Sequence, residues 1–231
     1  MKNNLHVFLG ATVADAAARP LHWVYDQNKL AKYIKGKRDF TFLKKNRSPF
    51  YNIKTGKVSG YNDIGQVMFK TLLEDHKNIE IKFKRNILKN FGPGSIYWRN
   101  LKLRKKYKKV KDWRNLINGP WIHQNIIETI QNIRANKKLT GGTKVNESDG
   151  FCAALPYFLY GYDFKEITKI IKIVTVSKTS IKYALAKFHI INLALRGAKN
   201  PIKEFVAKFK KKSYFKNIAS DIQKITLMKT K

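Results

Sequence analysis

Asp15 and His22 are two residues near the start of this sequence whose side chains could take part in chemistry. Asp15 stands near the end of a predicted helix, where a carboxylate meets the negative end of the helix dipole. Because that position is locally unfavourable, we expect Asp15 to have a role beyond solubility, such as a buried hydrogen bond. His22 could act as a general base or a ligand, and the simpler alternative is a ring packed beside Trp23.

Three further candidates stand at predicted helix starts. Asp63 precedes an apolar helix and is followed three residues later by Gln66, which is the pattern of a capping box. The alternative for Asp63 is a metal or ribose contact. Ser148 and Asp149 precede an apolar helix over residues 150–160. They either cap that helix or contact a ligand phosphate at its positive end, and capping is the favoured interpretation.

Helical periodicity of apolar residues dominates the chain and predicts an all-α fold. The first helix ends at Pro20, and small residues along it would let another helix approach closely. One of its faces is lined by Leu5, Phe8, Leu9, Thr12, Val13 and Ala16. Further helices are predicted over 63–75, 79–91, 121–135, 150–160 and 180–196, behind Asp163, and once or twice within 201–228. About eight or nine helices would form a single domain spanning residues 1–231.

The C-terminal third contains residues typical of helix starts and helix ends. Asp163 and Glu166 form a second capping-box pattern, and Gly197 follows a predicted helix as its C-terminal residue. Asn200 and Pro201 then supply a helix cap and a proline at the first helical position. Upstream, residues 35–60 are rich in turn-forming residues, so no helix is expected there.

The charge balance raises the question of a polyanionic partner. The sequence holds 48 Lys and Arg residues against 15 Asp and Glu, for a net charge of +33. Only nine of these cations are arginine, however, and direct readers of nucleic acid depend on arginine for bidentate contacts. Lys, Asn and Ile are all frequent and share codons made only of A and T, so drift in an AT-rich genome explains the excess. The basic run at 102–112 is interpreted as a solvated loop or helix face, and the alternative is a polyanion-binding strip in which Tyr107 is interleaved. Nucleic acid remains a partner that is open but not favoured.

The number of cysteines and the length of the apolar runs indicate the compartment and whether the chain enters a membrane. A single cysteine, Cys152, excludes an internal disulfide framework and fits a reducing compartment. No apolar run approaches the roughly 18 residues of a membrane helix. The N-terminal apolar stretch contains Asp15, which does not suit a signal peptide. We expect a cytoplasmic protein without a membrane partner.

Three segments, read together, resemble a known family. Residues 10–26 read GATVADAAARPLHWVYD, and residues 48–66 join a Pro-Phe-Tyr segment to a Tyr-x-Asp helix start. Residues 147–158 begin a helix at Ser148-Asp149-Gly150. This combination resembles the ADP-ribosylglycohydrolase family, and it is most similar to the branch that includes the jellyfish lens crystallins.

The resemblance implies a compact all-α bundle with a central acidic cleft. Active members of the family use a pair of Mg²⁺ ions to hydrolyse a glycosidic bond to ADP-ribose, and hard oxygen ligands at several helix ends suit such a pair. Carried onto this chain, the resemblance implies ADP-ribose or an ADP-ribosylated substrate as ligand and Mg²⁺ as cofactor. The implied residues are Asp15 and His22 for catalysis, Asp63 for the metal, and Ser148, Asp149 and Gly150 for the substrate.

The chain departs from the family pattern at three places. Where the family has Asp-Asp-Thr, this sequence has Asp63-Ile64-Gly65, so one carboxylate and a hydroxyl are missing. His22 stands where glycohydrolases often carry a glutamate. The last family motif, Gly-x-Asp-x-Asp-Thr, has no counterpart before Lys231, so we expect a bundle truncated at its C-terminus and a weak or absent Mg²⁺ site. The alternatives are an ADP-ribosyl glycohydrolase, a non-catalytic structural or interaction relative, and a basic polyanion-binding protein.

Overall fold

The computed structural model describes residues 2–35, 43–48, 53–74, 77–110, 116–211 and 214–228. All regular elements within these residues are helical, which confirms the predicted all-α class. The helices are α1 Lys2–Ala18, α2 Gln27–Ile34, α3 Gly60–Glu74, α4 Ile79–Phe91, α5 Ile96–Tyr107, α6 Gln124–Arg134, α7 Asp149–Leu159, α8 Phe164–Val174, α9 Lys178–Leu195, α10 Pro201–Phe209 and α11 Lys216–Met228, with a 3-10 helix at Arg19–Leu21. None of these helices is both long and apolar enough to cross a bilayer.

Two of these helices were not predicted, which is why the structure has more than the eight or nine expected. α2 is only eight residues long, and it begins at Asp26, whose side chain accepts hydrogen bonds from the backbone N–H groups of Asn28 and Lys29. α5 extends into the basic run, and its apolar residues are too few to give a clear periodic signal. Lys102, Lys105 and Lys106 of that run are exposed on α5, as a solvated helix face requires.

The predicted helix ends are largely confirmed. Asp163 accepts a hydrogen bond from the N–H of Glu166 at 2.8 Å, and Asn200 caps α10 by accepting from the N–H of Lys203 at 3.0 Å. Gly197 follows α9 with a φ of 84°, a left-handed conformation that glycine adopts without strain. Short polar side chains at these positions satisfy N–H groups that the first turn of a helix leaves unpaired.

The main core lies between α3 and α7, which run against each other along most of their lengths. Ile64 and Met68 are fully buried from the α3 side, and Ala153 and Ala154 from the α7 side. Gly65 lets the two backbones approach, because a Cβ there would lie 2.9 Å from the carbonyl oxygen of Cys152. Ile64 and Gly65 are therefore required by the core at the positions where the family motif has polar residues.

A smaller apolar cluster joins the last three helices. Phe205 of α10 and Ala219 of α11 are fully buried there, together with Phe215 and Ile218. Ala186 of α9 completes this cluster from the other side. Its position accounts for the two helices that the sequence predicted after residue 201.

α1 differs from the prediction of one apolar face. Phe8 and Ala16 are buried, but Leu5, Leu9 and Val13 are 46%, 50% and 54% exposed. The reason is that α1 is apolar all round, so burying Phe8 against α3 and α7 turns the leucines outward. The small residues also differ from expectation: a Cβ at Gly10 would meet no heavy atom of the described structure within 4 Å.

A buried arginine fixes the segment that leads into α3. Arg19 is fully buried, and its guanidinium donates hydrogen bonds to the carbonyl oxygens of Lys57 at 2.6 Å, Lys54 at 2.8 Å and Ile53 at 3.1 Å. A guanidinium presents its donors in a fixed planar fork, which suits several carbonyls converging on one point. Residues 53–57 are thereby held beside the end of α1. The Pro-Phe-Tyr segment, residues 49–51, lies outside the described residues.

Candidate functional site

His123 and Asp149 form a buried pair at the centre of the candidate site. His123 is the residue before α6 and Asp149 is the first residue of α7, so two helix starts bring them together. The Nδ1 atom of His123 lies 2.6 Å from Oδ1 of Asp149, and the two residues are 3% and 0% exposed. Burial lowers the pKa of His123, but the charge of Asp149 and its hydrogen bond outweigh burial and raise the pKa above its usual value.

Aromatic rings enclose this pair. The ring of Tyr61 lies 3.9 Å from that of His123 between centroids, and Trp23 meets His123 edge-on at 6.0 Å. Trp23 has a φ of 61°, a conformation that costs a bulky residue about 1–3 kcal/mol. The turn of residues 21–23 therefore holds Trp23 against the imidazole in spite of the strain. Burial also raises the pKa of Tyr61, so its hydroxyl stays protonated.

His22 lies in the same neighbourhood, as predicted for a site residue. Its ring meets Trp23 at 5.7 Å and Tyr61 at 6.1 Å, both edge-on. Burial lowers the pKa of His22, the charge of Asp15 partly opposes this, and His123 lowers it further. A neutral imidazole is the form that accepts a proton, but the ring contacts equally describe a packed side chain. The catalytic role of His22 therefore remains a prediction.

Asp15 forms the buried hydrogen bonds that its unfavourable position on α1 indicated. Its carboxylate accepts from the backbone N–H and from the hydroxyl of Ser59, both at 2.6 Å. Ser59 in turn precedes α3, and its Oγ accepts from the N–H of Tyr61 at 3.2 Å. Asp15 thus anchors the start of α3 to the end of α1, and both its oxygens are occupied within the protein.

The capping role predicted for Asp63 is wrong. α3 begins three residues earlier, at Gly60, so Asp63 lies within the first turn and Ser59 supplies the cap. Gln66 donates to Oδ1 of Asn62 at 2.7 Å instead of completing a capping box. The carboxylate of Asp63 accepts a hydrogen bond from the Tyr97 hydroxyl. Burial raises the pKa of Asp63, the Tyr97 hydrogen bond opposes this, and the charge of Asp15 adds to the rise.

Asp63 also borders a cleft of about 730 Å³. Its other described lining residues come from the segments before α3 and α6: Lys44, Asn46, Ile53, Lys54, Thr55, Lys57, Val58, Asn118, Gly119 and Pro120. Three lysines against one carboxylate make this cleft basic. The resemblance implied an acidic cleft, and the described residues around Asp63 do not provide one.

Glu147 adds a second carboxyl group beside Asp149. One of its oxygens accepts from the backbone N–H of Asn125 at 3.3 Å. Burial, followed by the charge of Asp149, raises the pKa of Glu147 to about 7. When protonated, Glu147 can donate a hydrogen bond to the Asp149 carboxylate. Since both groups ionised would repel each other at low dielectric, the pair favours holding one proton at neutral pH.

Ser148 does not cap α7, contrary to the favoured prediction. Its side chain makes no capping hydrogen bond, and its hydroxyl instead accepts from the Lys187 ammonium at 3.1 Å. Lys187 is largely buried, which lowers its pKa. Both residues line a pocket of about 250 Å³ between the starts of α7 and α9. Glu147 lines the same pocket, so it holds a carboxyl group as well as an ammonium and a hydroxyl.

The other two predicted substrate residues, Asp149 and Gly150, do not line this pocket. Asp149 does not cap α7 either, because its carboxylate is turned to His123. Gly150 is buried, and a Cβ there would lie 2.8 Å from a methyl group of Thr175 and 2.9 Å from one of Ile171. Gly150 therefore permits α7 to approach α8, and a substrate contact for it remains a prediction.

The carboxylates do not fit a pair of Mg²⁺ ions. Among the described residues no three His, Cys, Asp or Glu side chains gather closely enough to hold a metal. Asp15 is bound to Ser59, Asp149 to His123 and Asp63 to Tyr97. Both oxygens of Asp15 are occupied, whereas Asp63 and Asp149 each hydrogen-bond through one oxygen, and the second oxygen of Asp149 has no hydrogen-bond partner among the described residues. Mg²⁺ requires near-octahedral oxygen ligands, and these carboxylates are not gathered at one point to supply them.

Sequence reasoning missed His123, Tyr61 and Glu147. His123 and Asp149 are 26 positions apart in the sequence, and neither lies in a local pattern that predicts the pairing. Tyr61 was noted only as part of a family segment. The position of Glu147 one residue before Ser148 was the available signal, because a carboxylate so close to Asp149 must perturb it.

Comparison with known proteins adds two relatives. Crystallin J1A and crystallin J1B of Tripedalia cystophora are each 29% identical to this chain over 148 residues, which is 64% of the chain and 43% of each crystallin. The chain thus matches less than half the length of these relatives. No family model and no solved structure matches it.

Proposed function

We propose that this chain is a non-hydrolytic relative of the ADP-ribosylglycohydrolases, which binds ADP-ribose or an ADP-ribosylated substrate in the cleft beside Asp63. One observation carries this proposal: Asp15, Asp63 and Asp149 are each committed to a hydrogen bond within the protein. In addition, no three His, Cys, Asp or Glu side chains among the described residues gather closely enough to hold a metal that would orient the substrate and activate water. No step through Mg²⁺ is therefore proposed.

The cleft suits the ligand by size and charge. Its volume of about 730 Å³ lies in the ordinary range of small-molecule sites. Lys44, Lys54 and Lys57 supply cations for a diphosphate, while Ile53 and Pro120 supply apolar surface for a base. Arg19 contributes indirectly, because it fixes the backbone that carries two of these lysines.

The comparisons support a relationship to the crystallin-like branch of the ADP-ribosylglycohydrolases. The segment at residues 10–26 indicated the crystallin-like branch, and the two relatives with significant similarity are both named crystallins. That name also favours a second candidate, a structural or interaction protein that binds no nucleotide. Affinity for ADP-ribose distinguishes the two candidates.

The hydrolytic part of the proposal is tested by a turnover assay. Purified protein is incubated with an ADP-ribosylated substrate and Mg²⁺, and release of ADP-ribose is compared with a blank and with Asp63→Ala. We expect no release above the blank from either protein. Turnover by the original chain that disappears in Asp63→Ala would show that Asp63 serves catalysis and would overturn the proposal.

The binding part is tested with matched lysine variants. Lys54→Gln with Lys57→Gln removes two cations from the cleft, and Lys210→Gln with Lys211→Gln removes two exposed cations elsewhere. Because charge-assisted hydrogen bonds to a phosphate contribute about 1.5–3 kcal/mol each, we expect the cleft pair to weaken ADP-ribose binding tenfold or more. Equal weakening by the two pairs would place the ligand outside this cleft.

A further inference from the structure

A groove between α5 and α6 lies outside the candidate site and combines an apolar floor with a basic rim. It has a volume of about 510 Å³. The floor is formed by Trp98, Leu101 and Ile127, all partly buried. The rim is formed by Arg104, Lys105, Lys108, Gln124 and Gln131. Side chains spaced three, four or seven residues apart share one helix face, so the α5 residues form a continuous edge.

The chain around this edge carries a long stretch without acidic residues, bounded by Glu80 and Asp112. From Ile81 to Lys111 the chain contains twelve Lys and Arg residues and not a single Asp or Glu. On α8, by contrast, Lys169 has an acidic partner, Glu166, at 2.7 Å. Within the described residues, no carboxylate forms an ion pair with the rim cations of the groove, so their field is not locally neutralised.

Arg104 is held in a fixed position on this rim. Its guanidinium carbon lies 4.2 Å from the ring centroid of Trp121, a cation–π contact. Arg104 is partly buried, and this burial lowers its pKa. A stacked, partly desolvated guanidinium loses little freedom on meeting a phosphate.

We propose that this groove binds single-stranded nucleic acid, with phosphates on Arg104, Lys105 and Lys108 and bases against the floor at Trp98. Single strands are recognised by a basic groove that follows the backbone and by aromatic surfaces that receive the base planes, and the groove supplies both. From Trp98 to Lys108 the edge extends about 15 Å, at the ordinary rise of a helix. On the opposite wall the amide of Gln131 can hydrogen-bond to a base edge, whereas the amide nitrogen of Gln124 donates to Glu128 at 3.1 Å.

The test uses the full chain and a fluorescent oligothymidine of about 16 nucleotides, which covers the usual span of such sites. Anisotropy is measured over a range of salt concentrations for three proteins. These are the original chain, the rim variant Arg104→Gln/Lys105→Gln/Lys108→Gln, and a control variant Lys137→Gln/Lys138→Gln/Lys199→Gln. The control removes the same charge from exposed positions elsewhere. Far-ultraviolet circular dichroism establishes that each variant is folded.

We expect the rim variant alone to lose affinity. Each phosphate contact to a single strand contributes about 0.7 to the slope of log K against log salt, so losing three contacts changes the slope by about 2. At 0.1 M salt this corresponds to roughly 100-fold weaker binding. If Arg104→Gln unfolds the protein, Lys105→Gln/Lys108→Gln is compared with Lys137→Gln/Lys138→Gln, and the expected change in slope is about 1.4. Because Arg104→Lys keeps the positive charge, we expect the slope of log K against log salt to stay unchanged in this variant.

Three results would overturn the inference. The first is no binding at low salt, and the second is equal loss in the rim and control variants, which would indicate a diffuse effect of net charge. The third is displacement of the oligonucleotide by inorganic polyphosphate, at equal phosphate concentration, as readily as by unlabelled oligothymidine. A bare polyanion has no bases for the floor, so equal competition would mean that the floor is not used.

Discussion

The buried pair of His123 and Asp149 gives the sharpest test of the site as a structural unit. The two groups lie 2.6 Å apart, and neither has appreciable contact with water. Removing one member of such a pair leaves the other buried without its partner, which costs about 3–5 kcal/mol. We therefore expect Asp149→Ala to lower the free energy of unfolding by about 3–5 kcal/mol. Asp149→Asn keeps the volume and one acceptor, so its cost should be nearer 1.5–3 kcal/mol.

The pH dependence follows from the direction of the His123 shift. Because the folded-state pKa is raised, the stability from this group is fully present below the unfolded value of about 6.5. It is lost as the pH rises through the folded-state pKa. The cost of Asp149→Asn should therefore be larger below pH 6.5 than in alkaline solution, since the imidazolium is the form that Asp149 stabilises.

Urea unfolding followed by circular dichroism measures these values, and Asp163→Ala serves as the control. Asp163 is an exposed helix cap, so its loss should cost only about 1 kcal/mol. A cost for Asp149→Ala no larger than that of the control would refute the account of the pair. So would an Asp149→Asn cost that does not change with pH.

The other predictions concern stability and metal binding. The raised pKa of Glu147 means that the folded state favours the protonated form, so the original chain should lose stability as pH rises from 4.5 through about 7. In Glu147→Gln this loss should be smaller, which urea midpoints measured at several pH values can determine. Gly65→Ala should cost about 1–3 kcal/mol through its clash with the Cys152 carbonyl, whereas Gly10→Ala, in open space, should stabilise by about 0.5–1 kcal/mol. Arg19→Met should cost about 3 kcal/mol by leaving buried carbonyls without donors, which chemical denaturation can determine. Calorimetry should find Mg²⁺ binding no tighter than roughly millimolar, and micromolar affinity would contradict this.

Local patterns in the sequence predicted most of the helices. α4 begins and ends where its apolar period and the Gly92-Pro93-Gly94 break predicted, and Asn200 and Pro201 begin α10. These signals act within one or two turns of the chain, so the sequence displays them directly. The sequence also predicted that Asp15 makes a hydrogen bond, although not to which residue, because a carboxylate near the end of a helix needs a compensating partner.

The candidate site could be predicted only in part. The local pattern placed the start of α3 at Asp63, whereas the helix begins at Gly60, directly after Ser59. The contact of Asp15 with Ser59 decides this start, and that contact spans 44 positions. The pairing of His123 with Asp149 likewise depends on how α6 and α7 pack. α5 was missed as a helix because it is too polar to show an apolar period.

Titration of ADP-ribose into the full chain by calorimetry, with and without Mg²⁺, tests the central claim most directly. The cleft binds through lysines, and the carboxylates serve the fold. We therefore expect ADP-ribose to bind with the same affinity in the presence and absence of Mg²⁺. The affinity should be lower in Lys54→Gln/Lys57→Gln. No heat at millimolar ligand would contradict nucleotide binding and favour the structural candidate. Binding that appears only with Mg²⁺ would contradict the assignment of Asp15, Asp63 and Asp149 to the fold.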